Sequence, residues 1–237
     1  MASSFSDVEY NYKTICENIA RAAQSVGKTA DDITFLAATK TVDAPTINHA
    51  ISLGLRYIGE NRVQELLSKY DDYDLDRASL QFIGHLQSNK VRQIVGKVDL
   101  IQSVDSIKLA SDISRCSKKL GISTDILIEV NIGREENKSG VMPEKLDELL
   151  DEIRKIEAIK VRGLMAIPPI CENAQEICKF FDNMRHIFLD IKAKNIDNIS
   201  MDVLSMGMSD DYEEAIKCGA NMVRVGSALF GARNYNV

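Results

Sequence analysis

The chain has 237 residues, 45% of them hydrophobic and 27% charged, a composition that suits a globular protein with a large core and a length close to the roughly 250 residues of one (β/α)8 barrel. Its 29 Lys and Arg against 35 Asp and Glu leave a formal charge of −6, which argues against a binder of nucleic acid or of anionic membranes. The five cysteines form no CxxC pair and do not cluster with the three histidines, so neither a zinc site nor a disulfide framework is expected, and no apolar run reaches the roughly 18 residues of a membrane span.

The opening residues carry no basic region followed by an apolar one, so a cytoplasmic protein without a leader is expected. An amphipathic stretch from about Val8 to Val26 comes first and reads as a helix. After it, short β-branched runs alternate with longer amphipathic segments, the mark of parallel βαβ units. The runs, each a predicted strand, are Ile33–Lys40, Arg56–Glu60, Leu80–His85, Leu100–Val104, Asp125–Asn131, Lys160–Ile167, Met201–Met206 and Met222–Val225. The predicted helices between them are Pro45–Leu53, Arg62–Tyr70, Lys90–Lys97, Ile107–Leu120, Pro143–Ile156, Ala174–Lys194 and Asp211–Cys218. Only a dozen residues follow the last strand, too few for a full helix, so the N-terminal helix is expected to cover the face left bare. Near-continuous apolar strands such as Ile126-Leu127-Ile128-Glu129-Val130 suit a sheet buried on both faces. An open doubly wound sheet is the alternative. No linker or composition shift divides the chain, and one domain spanning residues 1–237 is expected.

In such barrels the chemistry sits at the C-terminal ends of the strands. The first strand ends in Thr39-Lys40, the second in Gly59-Glu60-Asn61, the third in Gly84-His85, and the seventh in Ser205-Met206-Gly207. An ammonium at the mouth of a barrel, at the end of an apolar strand, is costly unless it is paired, deprotonated or covalently used, and an imine to an aldehyde removes the cost. The simpler reading of Lys40 is a side chain that snorkels to the rim. Phosphate sites recur after strands seven and eight, where this chain reads Met206-Gly207-Met208-Ser209-Asp210 and Val225-Gly226-Ser227-Ala228. Glycine there would let backbone approach an anion, and a serine hydroxyl would add a donor. Arg224 shares its side of the eighth strand with Gly226 and could reach a ligand, or pair inside the barrel with Glu129 or Asp202.

Several stretches resemble a known family. Ala38-Thr39-Lys40, Ile58-Gly59-Glu60-Asn61-Arg62-Val63-Gln64-Glu65, His85-Leu86-Gln87-Ser88-Asn89-Lys90, Lys138-Ser139-Gly140, Gly163-Leu164-Met165-Ala166-Ile167, Leu204-Ser205-Met206-Gly207-Met208-Ser209-Asp210-Asp211-Tyr212 and Val223-Arg224-Val225-Gly226-Ser227 are similar to the pyridoxal-phosphate homeostasis proteins, the YggS or PROSC type. The resemblance runs from about Ile33 to Tyr235. It implies a fold-type III barrel like the N-terminal domain of alanine racemase, with pyridoxal 5′-phosphate held as a Schiff base on Lys40. By the same resemblance Ser209, Gly226 and Ser227 hold the phosphate, Arg224 donates to the pyridine nitrogen, and Asn61 and Met206 complete the cofactor contacts.

The function this implies is storage, buffering or delivery of the cofactor by a monomer, with apo forms of pyridoxal-phosphate enzymes as recipients and no catalytic residue assigned. The alternative is an amino-acid racemase of low or narrow activity. Against it stand Thr41-Val42-Asp43-Ala44 in place of the racemase Tyr-Gly-His-Gly turn, and the second racemase domain, which this sequence does not contain. Racemisation needs an acid or base on each face of the substrate, and beyond Lys40 the single candidate is His85, whose simpler role is structural. A barrel enzyme acting on a sugar phosphate through an imine-forming lysine is a third reading.

Overall fold

The computed structural model describes residues 4–231. Eight parallel strands close into a barrel in sequence order: β1 Thr34–Ala38, β2 Tyr57–Glu60, β3 Ser79–Phe82, β4 Leu100–Val104, β5 Thr124–Val130, β6 Ile159–Ala166, β7 Ile199–Ser205 and β8 Met222–Val225. β8 pairs back onto β1, setting Leu36 beside Arg224. The helices are α1 Phe5–Ser25, α2 Ala44–Ser52, α3 Val63–Lys69, α4 Val91–Ile94, α5 Ile107–Leu120, α6 Leu146–Ile153, α7 Ala174–Lys194, α8 Tyr212–Lys217 and α9 Ser227–Phe230. The expected (β/α)8 barrel is therefore present, and the open sheet is not.

Alternation along the strands sorts their side chains into two cores. Leu36, Ile83, Leu100, Leu127, Met165 and Met222 fill the barrel, while residues such as Ile58, Phe82, Ile101, Ile128 and Val225 pack against the helices. Gly59 faces inward, where an added Cβ would come within 2.6 Å of Leu36 Cδ2 and 3.0 Å of Ile83 Cδ1. Glycine at this point makes room for two large side chains from the neighbouring strands.

The expected role of the N-terminal helix holds. α1 begins with a capping box in which Ser4 and Asp7 exchange hydrogen bonds, and it packs against α2, α8 and α9. Asn11 Nδ2 donates to the Leu229 carbonyl at 3.0 Å and Asn18 Nδ2 to the Tyr212 hydroxyl at 2.9 Å. The helix expected over Lys90–Lys97 is shorter: a 3-10 turn at Ser88–Lys90 leads into the single turn of α4. Val95 turns extended and Gly96 takes φ +84, which ends it. Among the described residues no helix is long and apolar enough to cross a membrane, and no group of His, Cys, Asp and Glu is arranged to hold a metal ion. All five cysteines are free thiols.

Candidate functional site

The C-terminal mouth of the barrel gathers the polar residues that the strands bring inward. Arg224 is 4% exposed and lies inside β8. Its Nη1 donates to Ser205 Oγ at 2.6 Å and its Nη2 to the Ala166 carbonyl at 2.9 Å. Ser205 Oγ donates to Gln102 Oε1 at 2.7 Å, and Gln102 Nε2 donates to Gln81 Oε1 at 2.6 Å. Each donor in this chain polarises the next, so the guanidinium is held by a satisfied relay across β8, β7, β4 and β3. Neither acid expected as an ion-pair partner touches it: Asp202 faces outward to Arg162 at 3.2 Å, and Glu129 acts on Arg224 only through its field. Burial lowers the Arg224 guanidinium to about 10, opposed by Glu129 and Asp211. Two N–H groups are used in the relay, which leaves further guanidinium donors for a ligand.

Glu129, 8% exposed on β5, is a second buried ionisable group near this end. Burial raises its carboxyl from 4.5 to about 7, the Asp105 charge adds to the rise, and Arg224 opposes it. Its backbone carbonyl accepts from Val141 N at 2.8 Å, part of a bridge that folds the 131–141 loop back onto the end of β5. Asn131 orders the same loop, donating to the Glu135 carbonyl at 2.8 Å and accepting from Glu135 N at 3.1 Å.

The loops after β7 and β8 meet as expected. Ser209 Oγ accepts the backbone N–H of Gly226 and of Ala228, each at 3.1 Å, so two N–H groups at the start of α9 converge on one oxygen. Asp211 Oδ1 accepts from Met208 N at 2.5 Å and Tyr212 N donates to the Met208 carbonyl at 2.9 Å, which fixes the Ser209 turn. Each of the two glycines also makes room within the fold. A Cβ on Gly226 would lie 3.0 Å from the Ala38 carbonyl, and one on Gly207, at φ +92, would lie 2.5 Å from the Ala215 Cβ. Gly226 thus lets β8 approach β1, and Gly207 seats α8. Ser227 is exposed at the first position of α9.

Lys40 follows β1 on the interior side by the alternation that puts Leu36 and Ala38 there, is half-buried, and makes no ion pair or side-chain hydrogen bond among the described residues. Asn61 is half-buried after β2, its carbonyl against the Cα of Gly84, where a Cβ would sit 2.0 Å away. Met206 is fully buried on the helix side of β7, so its side chain lies away from the mouth. His85 is exposed at the rim with Nδ1 at 3.2 Å from Ser139 Oγ. Lys40, Arg224, Gly226 and Ser209 are thus gathered at one end of the barrel, while Met206 is turned away and His85 stands at the edge.

The sequence reading missed two groups. The Gln81–Gln102–Ser205 relay stood open in the sequence as polar residues at inward positions of apolar strands. Glu60 was noted only as a strand end, yet it is 0% exposed and anchors a network with Thr39, Lys69 and Tyr73 on the helix side of β1 and β2.

A closed parallel barrel with an unpaired lysine after its first strand, and two N–H groups after its last strand that converge on a serine of the loop before, defines a class, and the chain matches the family model for the alanine racemase N-terminal domain over residues 11–234. Within that class, it belongs to the pyridoxal phosphate homeostasis protein family. It is 42% identical over 224 residues to the pyridoxal phosphate homeostasis protein of Aquifex aeolicus, covering 93% of this chain and 96% of that one. Among solved structures it is similar to an unknown protein from Bifidobacterium adolescentis, at 35% identity and a TM-score of 0.90 over 95% of both chains. It is also similar to PipY of Synechococcus elongatus with PLP bound, at 32% identity and a TM-score of 0.79 over 90% of this chain and all of that one.

Proposed function

We propose that this chain binds pyridoxal 5′-phosphate at the barrel mouth, bonded to the Lys40 amine, and serves as a reservoir from which the cofactor is buffered or delivered. The observation that carries the reading is the convergence of the Gly226 and Ala228 N–H groups on a single oxygen, at the same barrel end as an unpaired Lys40. Both N–H groups are spent on the Ser209 oxygen, which leaves that hydroxyl's proton to donate to an anionic oxygen beside it. The name of the Aquifex aeolicus relative and the PLP bound to PipY support the choice of ligand.

In this reading Ser209, Gly226 and Ser227 take the phosphate. Arg224 directs a remaining N–H at the pyridine nitrogen, its plane held by Ser205 and Ala166. Asn61 flanks the ring, and Met206 contributes only backbone. Bound there, the cofactor supplies an aldehyde that condenses with an amine, releasing water, and that passes to another amine by exchange. An arginine partner leaves the ring nitrogen unprotonated and the ring a weak electron sink, which suits holding and handing over more than turnover. The chain acts as one domain, a cytoplasmic monomer with apo forms of pyridoxal-phosphate enzymes as recipients.

The test is a visible spectrum of the purified protein loaded with pyridoxal 5′-phosphate, taken before and after borohydride, with peptide mapping of the reduced adduct. The adduct is expected on Lys40 and is absent from Lys40→Ala, which folds normally because a rim amine contributes no core volume. A reducible adduct surviving in Lys40→Ala overturns the assignment. The loaded protein is expected to reactivate an apoenzyme while exchanging no Cα deuterium in a panel of amino acids. Turnover near the roughly 10 s⁻¹ median of enzymes favours a racemase instead.

A further inference from the structure

Lys40 sits in a turn that this sequence is poorly suited to make. Val42 N donates to the Thr39 carbonyl at 3.1 Å, so Lys40 and Thr41 are the two central residues of a four-residue turn. Thr41 has φ +65. A positive φ at the third position is normally left to Gly or Asn, and for a β-branched residue it is a strained conformation. Within the turn the Thr41 hydroxyl donates to the Lys40 carbonyl at 2.6 Å, and the remaining constraint comes from outside it.

The helix side of the sheet supplies that constraint. The Lys69 ammonium, on α3, donates to the Val42 carbonyl at 3.0 Å and reaches the Thr39 carbonyl at 3.3 Å, gripping the turn at both ends. Glu65, one helical turn earlier, pairs with Lys69 at 3.2 Å and accepts the Thr41 N–H. Lys69 is held in turn by Glu60, 2.5 Å from its Nζ. Glu60 Oε1 also accepts from Thr39 Oγ1 at 2.7 Å and from the Tyr73 hydroxyl at 2.6 Å, while Oε2 has no hydrogen-bond partner. A fully buried carboxylate with one bare oxygen is an expensive arrangement for packing alone, since an apolar pair of similar volume would fill the same space.

We infer that the Glu60–Lys69 pair, with Glu65, is a clamp that holds the Thr39–Val42 turn in its strained form and so fixes where the Lys40 amine lies in the mouth. None of the three touches the mouth itself, so they are positioning residues. Released, the turn relaxes toward the conformations threonine prefers, and residue 40, at its corner, turns with it. The inference rests on Lys40 being the amine that receives the cofactor.

The experiment follows formation of the Lys40 adduct from cofactor-stripped protein and added pyridoxal 5′-phosphate, by absorbance and by borohydride trapping with mass spectrometry of the Lys40 peptide. Rates are normalised to the folded fraction from circular dichroism. Lys69→Met is expected to slow adduct formation by roughly tenfold or more, the scale set by one strained residue. Thr41→Gly in the same chain should restore it to within about threefold, since glycine takes a positive φ unaided. Repair of this kind is what a merely structural role would not give. If Lys69→Met does not fold, Glu65→Ala, which leaves the buried pair intact, should show the same slowing and the same rescue.

A wild-type rate in folded Lys69→Met, or in Glu65→Ala where Lys69→Met does not fold, overturns the clamp, as does slowing that Thr41→Gly leaves unrepaired. Lys40→Ala run alongside separates the two claims. If its adduct persists, the reading of Lys40 fails. If its adduct is lost while the clamp variants react normally, only the clamp fails.

Discussion

Replacing Glu129 by glutamine should make the protein more stable in mildly alkaline solution and leave it nearly unchanged in acid. The carboxyl holds its proton up to about 7 in the folded chain, against 4.5 for the free side chain. Between those values the folded state keeps a proton that the unfolded state releases. Stability drawn from this group is therefore full below about pH 4.5 and is lost as pH rises through about 7. The difference, 7 less 4.5, corresponds to about 3 kcal/mol at alkaline pH. Glutamine has the shape of the neutral acid and escapes that penalty, although Arg224 then loses a favourable field, so a gain of about 1–3 kcal/mol is expected. Urea unfolding of cofactor-free parent and variant at about pH 5 and about pH 8.5 measures it, because groups common to both chains cancel in the difference. Equal destabilisation of the variant at both pH values would refute the reasoning: it would mean that Glu129 is ionised throughout and that its attraction to Arg224 outweighs the cost of burying it.

Ser209→Ala should weaken pyridoxal 5′-phosphate binding by about ten- to a hundredfold, through loss of about 1.5–3 kcal/mol for a hydrogen bond to a charged group, while binding of phosphate-free pyridoxal stays unchanged. Parallel equilibrium titrations with the two compounds decide it, and equal losses for both would move the phosphate elsewhere. Gly163→Ala should destabilise the fold by more than about 3 kcal/mol, because its Cβ would lie 1.8 Å from the Val203 carbonyl oxygen at φ +151. Chemical denaturation checks it, and a near-neutral result would mean that β6 and β7 can move apart at little cost.

The barrel was legible because its signal is periodic. The near-continuous apolar run Ile126–Val130 marks a strand buried on both faces and the spacing along Ile107–Leu120 marks a helix, and both lie within a residue or two of where they were read. The placement of Lys40 and the two loops at the mouth was legible because they follow the C-terminal ends of their strands. What stayed hidden depends on pairing between distant elements. Glu60 closes a short strand and could have faced solvent; only the packing of α3 against β2, which brings Lys69 and Tyr73 over it, makes it a buried anchor. Gly207 also seats α8 against Ala215, a packing demand that only the folded arrangement reveals. The overlong reading of α4 ran through Gly96, whose positive φ breaks the helix without breaking the apolar pattern around it.

The two polar networks lie on opposite faces of the same sheet, and adjacent residues serve them. Thr39 turns to the helix side and bonds Glu60, while Lys40, one residue on, falls on the barrel side with Leu36 and Ala38. A slip of one residue in β1 would exchange them, burying the lysine among helices and turning the threonine into the mouth. That register is held from both edges, by Leu36 against Arg224 on β8 and by Ala38 against Gly59 on β2. Gly59 sets the second contact, because any larger residue would drive β2 away from Leu36. The glycine in Gly59-Glu60-Asn61 therefore fixes the strand that carries Lys40, and the glutamate beside it fixes the turn. The interior relay through Ser205 fixes the arginine independently, since it shares no residue with the clamp. Substitutions in one network should add to those in the other with little coupling, whereas Glu60, Lys69 and Glu65 should be strongly non-additive among themselves.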